Sequence, residues 1–259
     1  MKNQRHSEII KILAEGHIIK THDLVEKFHV STETIRRDLD YLEKKGYLTK
    51  IYGGAIPKSM NGMEPEYAYR KIKNKDKKIT IAKKAAQLVE NGDTLIIDSG
   101  TTTLQLAKFL HAYKQLTVFT NSLLIGSELV KNPDIKVIML GGDLRPGELS
   151  TSGFLAENNL SLFYVDKVFL GAGGFTLRYG ISDYHIEETN LKRLYITHSQ
   201  KVIVLADNSK FEQITLNHVC NLEDIDIIIT DSQTDKKLIS ELKRQEIHVI
   251  IADEKISTL

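Results

Sequence analysis

Val30-Ser31-Thr32-Glu33-Thr34-Ile35-Arg36-Arg37-Asp38-Leu39-Asp40-Tyr41-Leu42-Glu43-Lys44-Lys45-Gly46 is the stretch whose pattern decides the N-terminal fold. Ile35, Leu39 and Leu42 recur at i, i+4 and i+7, which lines them up as one apolar stripe on a helix. Ser31 stands where an N-cap belongs and Gly46 where a C-terminal stop belongs, so the spacing predicts a helix from Thr32 to about Lys45. The opposite face is polar, with Glu33, Arg37 and Lys44 flanked by Thr32, Thr34, Arg36 and Tyr41. Short hydroxyls in the first turn and paired arginines in the second suit the major groove of DNA. Hydroxyl and backbone N–H groups hold phosphate there while Arg reads guanine edges. A solvated helix face is the competing reading.

Upstream, Ile9, Ile10 and Leu13 give a first helix from Ser7 to Ala14 that Gly16 ends. Thr21 reads as the N-cap of a short second helix, His22–Phe28, with Leu24, Val25 and Phe28 on its apolar side. Three helices with a tight turn between the last two make a helix-turn-helix outline. Downstream, Tyr47-Leu48-Thr49-Lys50-Ile51-Tyr52 alternates like a strand and ends in Gly53-Gly54. A hairpin wing is expected there, with Lys50 and Tyr52 near a DNA backbone. Residues 1–78 hold 17 Lys+Arg against 11 Asp+Glu, a net of +6, and the remainder 18 against 23, a net of −5. The basic end is the one suited to a polyanion.

A chain of 259 residues is long for one domain and comfortable for two. Pro57–Glu66, with Ser59, Asn61, Gly62 and Pro65, reads as a connection; the basic run that follows, Arg70 to Lys75, could be helical or dock on either side. The expected division is 1–56 for a winged helix-turn-helix domain, 57–75 for the linker and 76–259 for a larger α/β domain. No apolar run approaches the roughly 20 residues of a membrane helix, and Met1–His6 lacks the pattern of a secretory signal. Cys220 is the single cysteine, which excludes an intrachain disulfide and a thiolate-rich metal site. A cytoplasmic protein is expected.

From Asp76 onward helical patterns alternate with β-rich runs, as in an open parallel sheet covered on both faces. The strand candidates are Thr94–Ile97, Leu116–Phe119, Lys136–Leu140, Lys167–Leu170, Lys201–Leu205, Asp226–Ile229 and His248–Ile251; the helix candidates are Lys77–Val89, Thr102–Leu110, Leu123–Val130, Glu187–Gln200 and Thr234–Arg244. Such sheets bind ligands outside the carboxyl ends of their strands. Those ends read Asp98-Ser99-Gly100-Thr101-Thr102-Thr103, Thr120-Asn121-Ser122, Gly141-Gly142-Asp143, Gly171-Ala172-Gly173-Gly174, Ala206-Asp207-Asn208-Ser209-Lys210 and Thr230-Asp231-Ser232. Singly, each could be a helix cap or a turn. Together they suit a polyhydroxylated, phosphorylated small molecule, with N–H groups at a helix start for the phosphate and Asp and Asn side chains for hydroxyls.

Other chemistries lack their motifs. There is no Gly-x-x-x-x-Gly-Lys-Ser/Thr loop, no dinucleotide fingerprint, no His-x-x-x-His or Glu-flanked histidine pair and no Gly-x-Ser-x-Gly elbow. No cofactor and no metal are expected.

The run Val30 to Leu39, with Leu42-Glu43, Gly46 and Gly53-Gly54-Ala55, resembles the N-terminal signature of the DeoR family of bacterial regulators of sugar metabolism. The strand-end motifs just quoted, with Glu188, Lys192-Arg193 and Phe211, resemble that family's C-terminal sensor, so the likeness spans nearly the whole chain. It implies that Ser31, Thr32, Thr34, Arg36 and Arg37 enter the major groove. It implies a sensor similar in fold to ribose-5-phosphate isomerase and responsive to a phosphorylated sugar. Ser99, Gly100, Thr101, Thr102 and Thr103 would hold the phosphate, with Asp98, Asn121, Glu188, Asp207 and Lys210 near the sugar and Gly141, Gly171 and Gly173 along the same edge.

A rival reading is a sugar-phosphate isomerase carrying a DNA-binding arm. The isomerases that the sensor resembles carry Asp-Gly-Ala-Asp-Glu after the strand matching Asp166–Leu170. This chain has Leu170-Gly171-Ala172-Gly173-Gly174 instead, which removes three carboxylates and leaves Glu188 and Asp207 as possible bases. A regulator is expected and an enzyme is not. One recognition helix sees too few base pairs for specificity, so a homodimer or homotetramer on double-stranded operator DNA is expected.

Overall fold

The computed structural model describes residues 2–14, 19–51, 53–57 and 64–253; Gly16, Tyr52 and the linker residues Ser59, Asn61 and Gly62, singled out above, lie outside them. Contacts divide the chain into two compact units, Met1–Lys75 and Asp76–Leu259.

The first unit contains α1 (Lys2–Ala14), β1 (Ile19–Lys20), α2 (Thr21–Phe28), α3 (Thr32–Lys44), β2 (Leu48–Ile51), β3 (Gly54–Pro57) and α4 (Tyr67–Ile72). Ile9, Leu13, Leu24, Ile35, Leu39, Leu42 and Leu48 bury their side chains together, and Tyr69 brings α4 onto the same core. Ser31 caps α3 as expected, its hydroxyl accepting from the Thr34 N–H at 3.2 Å. The wing is a three-stranded antiparallel sheet in the order β1-β3-β2. Its paired glycines have separate reasons. Gly53 turns at φ +79°, and a Cβ on Gly54 would stand 1.9 Å from the Ile19 carbonyl oxygen, so only glycine lets β1 and β3 meet.

In the first unit two helix starts differ from expectation. Thr21 is the first residue of α2, not its cap: Lys20 holds that place without a side-chain bond, because Ile19-Lys20 is already paired with β3 and the Thr21 N–H donates to the Gly53 carbonyl at 2.8 Å. Helix α1 starts at Lys2, well before Ser7, and its added turn carries Arg5 and His6. Both bond the buried carboxylate of Asp38 on α3, Arg5 Nε at 2.5 Å and His6 Nε2 at 2.7 Å. Burial opposes ionisation of Asp38, but the hydrogen bonds and charges of Arg5 and His6 outweigh it and hold the carboxyl below its ordinary range.

A depressed carboxylate pKa contributes stability that is present above the unfolded pKa, about 3.9, and is lost as pH falls through the folded one. Acid melts followed by circular dichroism should therefore show an early loss of the first unit below about pH 4. Asp38→Asn should remove that component and cost about 1.5–3 kcal/mol at neutral pH; an unchanged acid profile in the variant would refute the role given to Asp38.

The second unit opens with α5 (Lys75–Ala86) and continues through β4 (Thr94–Ile97), α6 (Thr101–Phe109), β5 (Leu116–Thr120), α7 (Leu123–Leu129) and β6 (Ile135–Met139). A hairpin of β7 (Asp143–Arg145) and β8 (Ser150–Ser152) follows, then α8 (Phe154–Leu160), β9 (Val165–Gly171), β10 (Gly174–Thr176), β11 (Gly180–Asp183) and α9 (Ile186–Thr197). The unit finishes with β12 (Ser199–Leu205), β13 (Asn217–Cys220), β14 (Ile227–Asp231), α10 (Lys236–Arg244) and β15 (His248–Ala252). The main sheet is parallel throughout, in the order β15-β14-β12-β9-β4-β5-β6, and its seven strands are the seven candidates read from the sequence. Leu95, Ile96 and Ile97 are all buried, as are all five residues of β14, which is what cover on both faces requires. Order reverses between β4 and β9: the chain steps outward one way through β5 to β6, and the other way through β12 and β14 to β15.

The β7–β8 hairpin, α8 and a second small sheet, β10-β11-β13, were not anticipated. Strands of three or four residues are too short to show a period, and α8 buries just Ala156 and Leu160.

Candidate functional site

In the first unit, α3 presents the polar face foreseen for it. Thr32, Glu33, Arg36 and Arg37 are exposed, Thr34 is half-buried, and the Ser31 and Thr34 hydroxyls are 2.9 Å apart. Arg37 Nε lies 3.2 Å from Glu33 Oε1, an exposed pair worth little, so the guanidinium is available at small cost. Tyr41 is stacked on His6 with ring centroids 4.9 Å apart, which ties it to α1. The Lys50 ammonium is paired with Asp40, and its backbone N–H donates to Glu43 Oε1 at 2.7 Å. The wing is thereby fastened to α3. Tyr52 falls outside the described residues.

In the second unit the order reversal marks the carboxyl ends of β4 and β9 as the candidate crevice, the place where open α/β sheets take ligands. Asp98 follows β4 and Gly171 ends β9; the Gly171 N–H donates to Asp98 Oδ2 at 3.0 Å. Beyond Asp98 the backbone turns into α6 at Gly100, where no side chain caps the helix. Thr101, Thr102 and Thr103 are buried in its first turn, whose N–H groups lack intrahelical partners. Ser99 is tied to the next strand end, its N–H donating to Asn121 Oδ1 at 3.1 Å, while Asn121 Nδ2 donates to the Thr151 carbonyl at 3.0 Å.

Helix α9 lays Glu188 and Lys192 across this crevice at i and i+4. Lys192 Nζ is 2.8 Å from Asp98 Oδ2 and 2.6 Å from Asp183 Oδ2, and donates to the Gly171 carbonyl at 2.9 Å. Glu188 accepts from Arg145 Nη1 at 2.6 Å and from the Ser150 hydroxyl at 2.5 Å, so the hairpin forms one wall. Gly173 backs onto Asp183: a Cβ there would stand 3.0 Å from its Oδ1 and from the Ser182 carbonyl oxygen, tight enough that the neighbours would have to give. Gly141 faces Asn159 of α8.

Electrostatics of the crevice follow from burial. Desolvation is the largest influence on Asp98 and pushes it up to about 6, against the pull of Lys192 and with the Asp183 charge adding. Asp183 is also desolvated, but Lys192, the Tyr184 N–H and Lys210 outweigh this and hold it low. Burial alone would lower the Lys192 ammonium; the two carboxylates reverse that and keep it charged. Asp207 is pulled down in turn by Lys210 and Lys78 and by the Ser209 bonds, which outweigh its burial. Lys210 thus acts on both Asp207 and Asp183, joining the β12 end to the rest.

Asp183, Arg145 and Ser150 were not assigned from sequence, and Lys192 was noted without a role. The pair Glu188–Lys192, placed among the apolar residues of one helix, was a readable signal. Among the described residues no group of three or more His, Cys, Asp or Glu is placed to hold a metal, and no helix is long and apolar enough to cross a membrane.

Comparison with known proteins agrees with both halves. Residues 5–60 match the model of a DeoR-like helix-turn-helix domain and residues 73–232 that of the DeoR C-terminal sensor domain. The HTH-type transcriptional regulator GolR of Listeria innocua is 36% identical over 250 residues, 96% of this chain and 98% of that one. The glycerol-3-phosphate regulon repressor of Escherichia coli is 32% identical over 231 residues, 89% of this chain and 91% of that one. Among solved structures, ribose-5-phosphate isomerase A from Methanocaldococcus jannaschii aligns over 53% of this chain and 55% of that chain, with 17% identity and a TM-score of 0.40. With both family models matched in their expected halves and relatives that are regulators by name rather than enzymes, this chain belongs to the DeoR family of helix-turn-helix transcriptional regulators and repressors.

Proposed function

We propose that this regulator represses a carbohydrate-utilisation operon in the cytoplasm and that a phosphorylated sugar or polyol, bound in the β4–β9 crevice, releases it from operator DNA. Residues 1–56 serve as the DNA-binding domain and 76–259 as the sensor; of the 57–75 segment expected to connect them, α4 packs on the first unit's core and belongs with the DNA-binding side. The observation that carries the effector half is the uncapped start of α6 at the order reversal: free N–H groups and a helix dipole attract phosphate. Asp98, Asn121, Glu188, Asp207 and Lys210 offer partners for hydroxyls around it, with the backbone at Gly141, Gly171 and Gly173 lining the same edge. A regulon named for glycerol-3-phosphate in one relative supports a phosphorylated effector. Regulation requires the effector to prefer one arrangement of the protein over the DNA-competent one.

The DNA half rests on the exposed face of α3. Ser31, Thr32 and Thr34 hold phosphates, Arg36 and Arg37 read base edges, and Tyr41, Lys50 and Tyr52 lie along the backbone. Arg37→Ala should weaken operator binding by about 1–3 kcal/mol and leave effector binding intact; unchanged operator affinity would take Arg37 off the DNA. The whole reading is tested by fluorescence anisotropy of labelled DNA from upstream of the protein's own gene, at fixed salt, against a panel of sugar phosphates. Specific binding that one phosphosugar weakens is expected, and absence of any DNA binding would overturn it.

A further inference from the structure

The surface around α8 is apolar to an extent that the sensor fold does not itself require. Phe154, Leu155, Leu162 and Tyr164 are 76%, 60%, 75% and 77% exposed, and Phe163 is 39% exposed. Ala156 and Leu160, between them in sequence, are buried in the core, so α8 is anchored by its small inward face and carries its large residues outward. The rings after the helix are held in place. Phe163 packs on Phe119 with centroids 4.8 Å apart, and Tyr164 stacks on His198 at 5.2 Å. A surface fixed in advance loses little entropy on binding. At about 150–250 Å² for each aromatic side chain, and somewhat less for each leucine, the exposed fractions amount to roughly 600 Å². That is at the top of the ~300–600 Å² typical of the largest patch on a monomer, and most of the ~800 Å² that each partner gives to a stable interface.

Charge identifies the occupant. From Phe154 to Tyr164 the one charged residue is Glu157, and from Pro146 to Asp166 there is no Lys or Arg. A two-fold interface sets a surface against itself, so like charges meet; a nearly uncharged patch tolerates this. The same patch gives a partner recognised by opposite charge almost nothing to engage. We infer that the α8 surface is where a second copy of this chain docks about a two-fold axis. The inference rests in part on the DNA-binding reading, which calls for two recognition helices on two half-sites.

The test is sedimentation of the full chain beside Leu155→Glu/Leu162→Glu, two changes at exposed positions. The wild type should sediment as a dimer or a multiple of one, and the variant at half that mass with an unchanged circular dichroism spectrum. A second variant, Asn158→Cys, adds a thiol to the exposed side of α8, Cys220 being buried. It should be joined into dimers by a long flexible bis-maleimide where the wild type is not. A monomeric wild type, which would point to a different protein as the partner, overturns the inference. So does a double variant that keeps its mass, or an Asn158→Cys chain linked no better than the wild type. Operator anisotropy on the same samples separates the two readings. A chain that pairs through α8 but binds no DNA sinks the operator reading alone, and a DNA-binding chain whose double variant keeps its mass sinks this one alone.

Discussion

Lys192→Met should lower the stability of the second unit by about 3–5 kcal/mol at neutral pH, the usual cost of removing one partner from a buried ion pair. For a unit of this size that is a fall of roughly 6–20 °C in the thermal midpoint. The ammonium is the shared partner of Asp98 and Asp183 and also donates to the Gly171 carbonyl. Methionine fills much of the same volume but leaves two buried carboxylates facing each other. Their pKa values then rise above the unfolded value. A raised carboxylate pKa contributes stability that is present below the unfolded pKa and lost as pH rises through the folded one, so the deficit should be smaller near pH 5 than near pH 8. Melts at the two pH values check both size and sign. A midpoint within about 3 °C of wild type at pH 8, or a deficit that grows on acidification, would show that the cluster does not hold the crevice together.

Thr102→Asp should abolish the response to a phosphorylated effector, with affinity falling more than about 100-fold, because like charges brought together cost several kcal/mol. Thr102 is buried in the first turn of α6 at the uncapped helix start. A carboxylate there is favoured by the helix dipole, so folding is expected to survive while the anion position is taken. Operator binding without effector should be unchanged. The measurement is the anisotropy titration already described, run with a melt as a control on folding. A variant that still releases DNA at wild-type effector concentrations would remove the phosphate from this helix start.

Much of the fold was legible because it rests on local rules. The α3 stripe of Ile35, Leu39 and Leu42 and the Ser31 cap are read within a few residues of each other, and the β-rich runs that became the main sheet stand out from their helical neighbours. The misplaced starts of α1 and α2 have non-local causes, Asp38 reaching across to Arg5 and His6 in one case and Gly53 to Thr21 in the other. The candidate crevice divides the same way. Asp98, the threonines, Asn121 and Asp207 were visible as strand ends, whereas Asp183 and Arg145 enter through small β elements with no period of their own.

By itself the sequence determined the two-domain order, the helix α3, the parallel strands and the edge of the sheet on which small polar residues gather, since each follows from spacing along the chain. The tertiary structure alone decided that Lys192 neutralises two carboxylates from different strands, that Glu188 is taken by the β7–β8 hairpin, and that α8 turns its large apolar residues outward. Those facts depend on residues far apart in sequence meeting in a low-dielectric interior or failing to be covered by it, and no periodicity along one segment records which segment will be its neighbour.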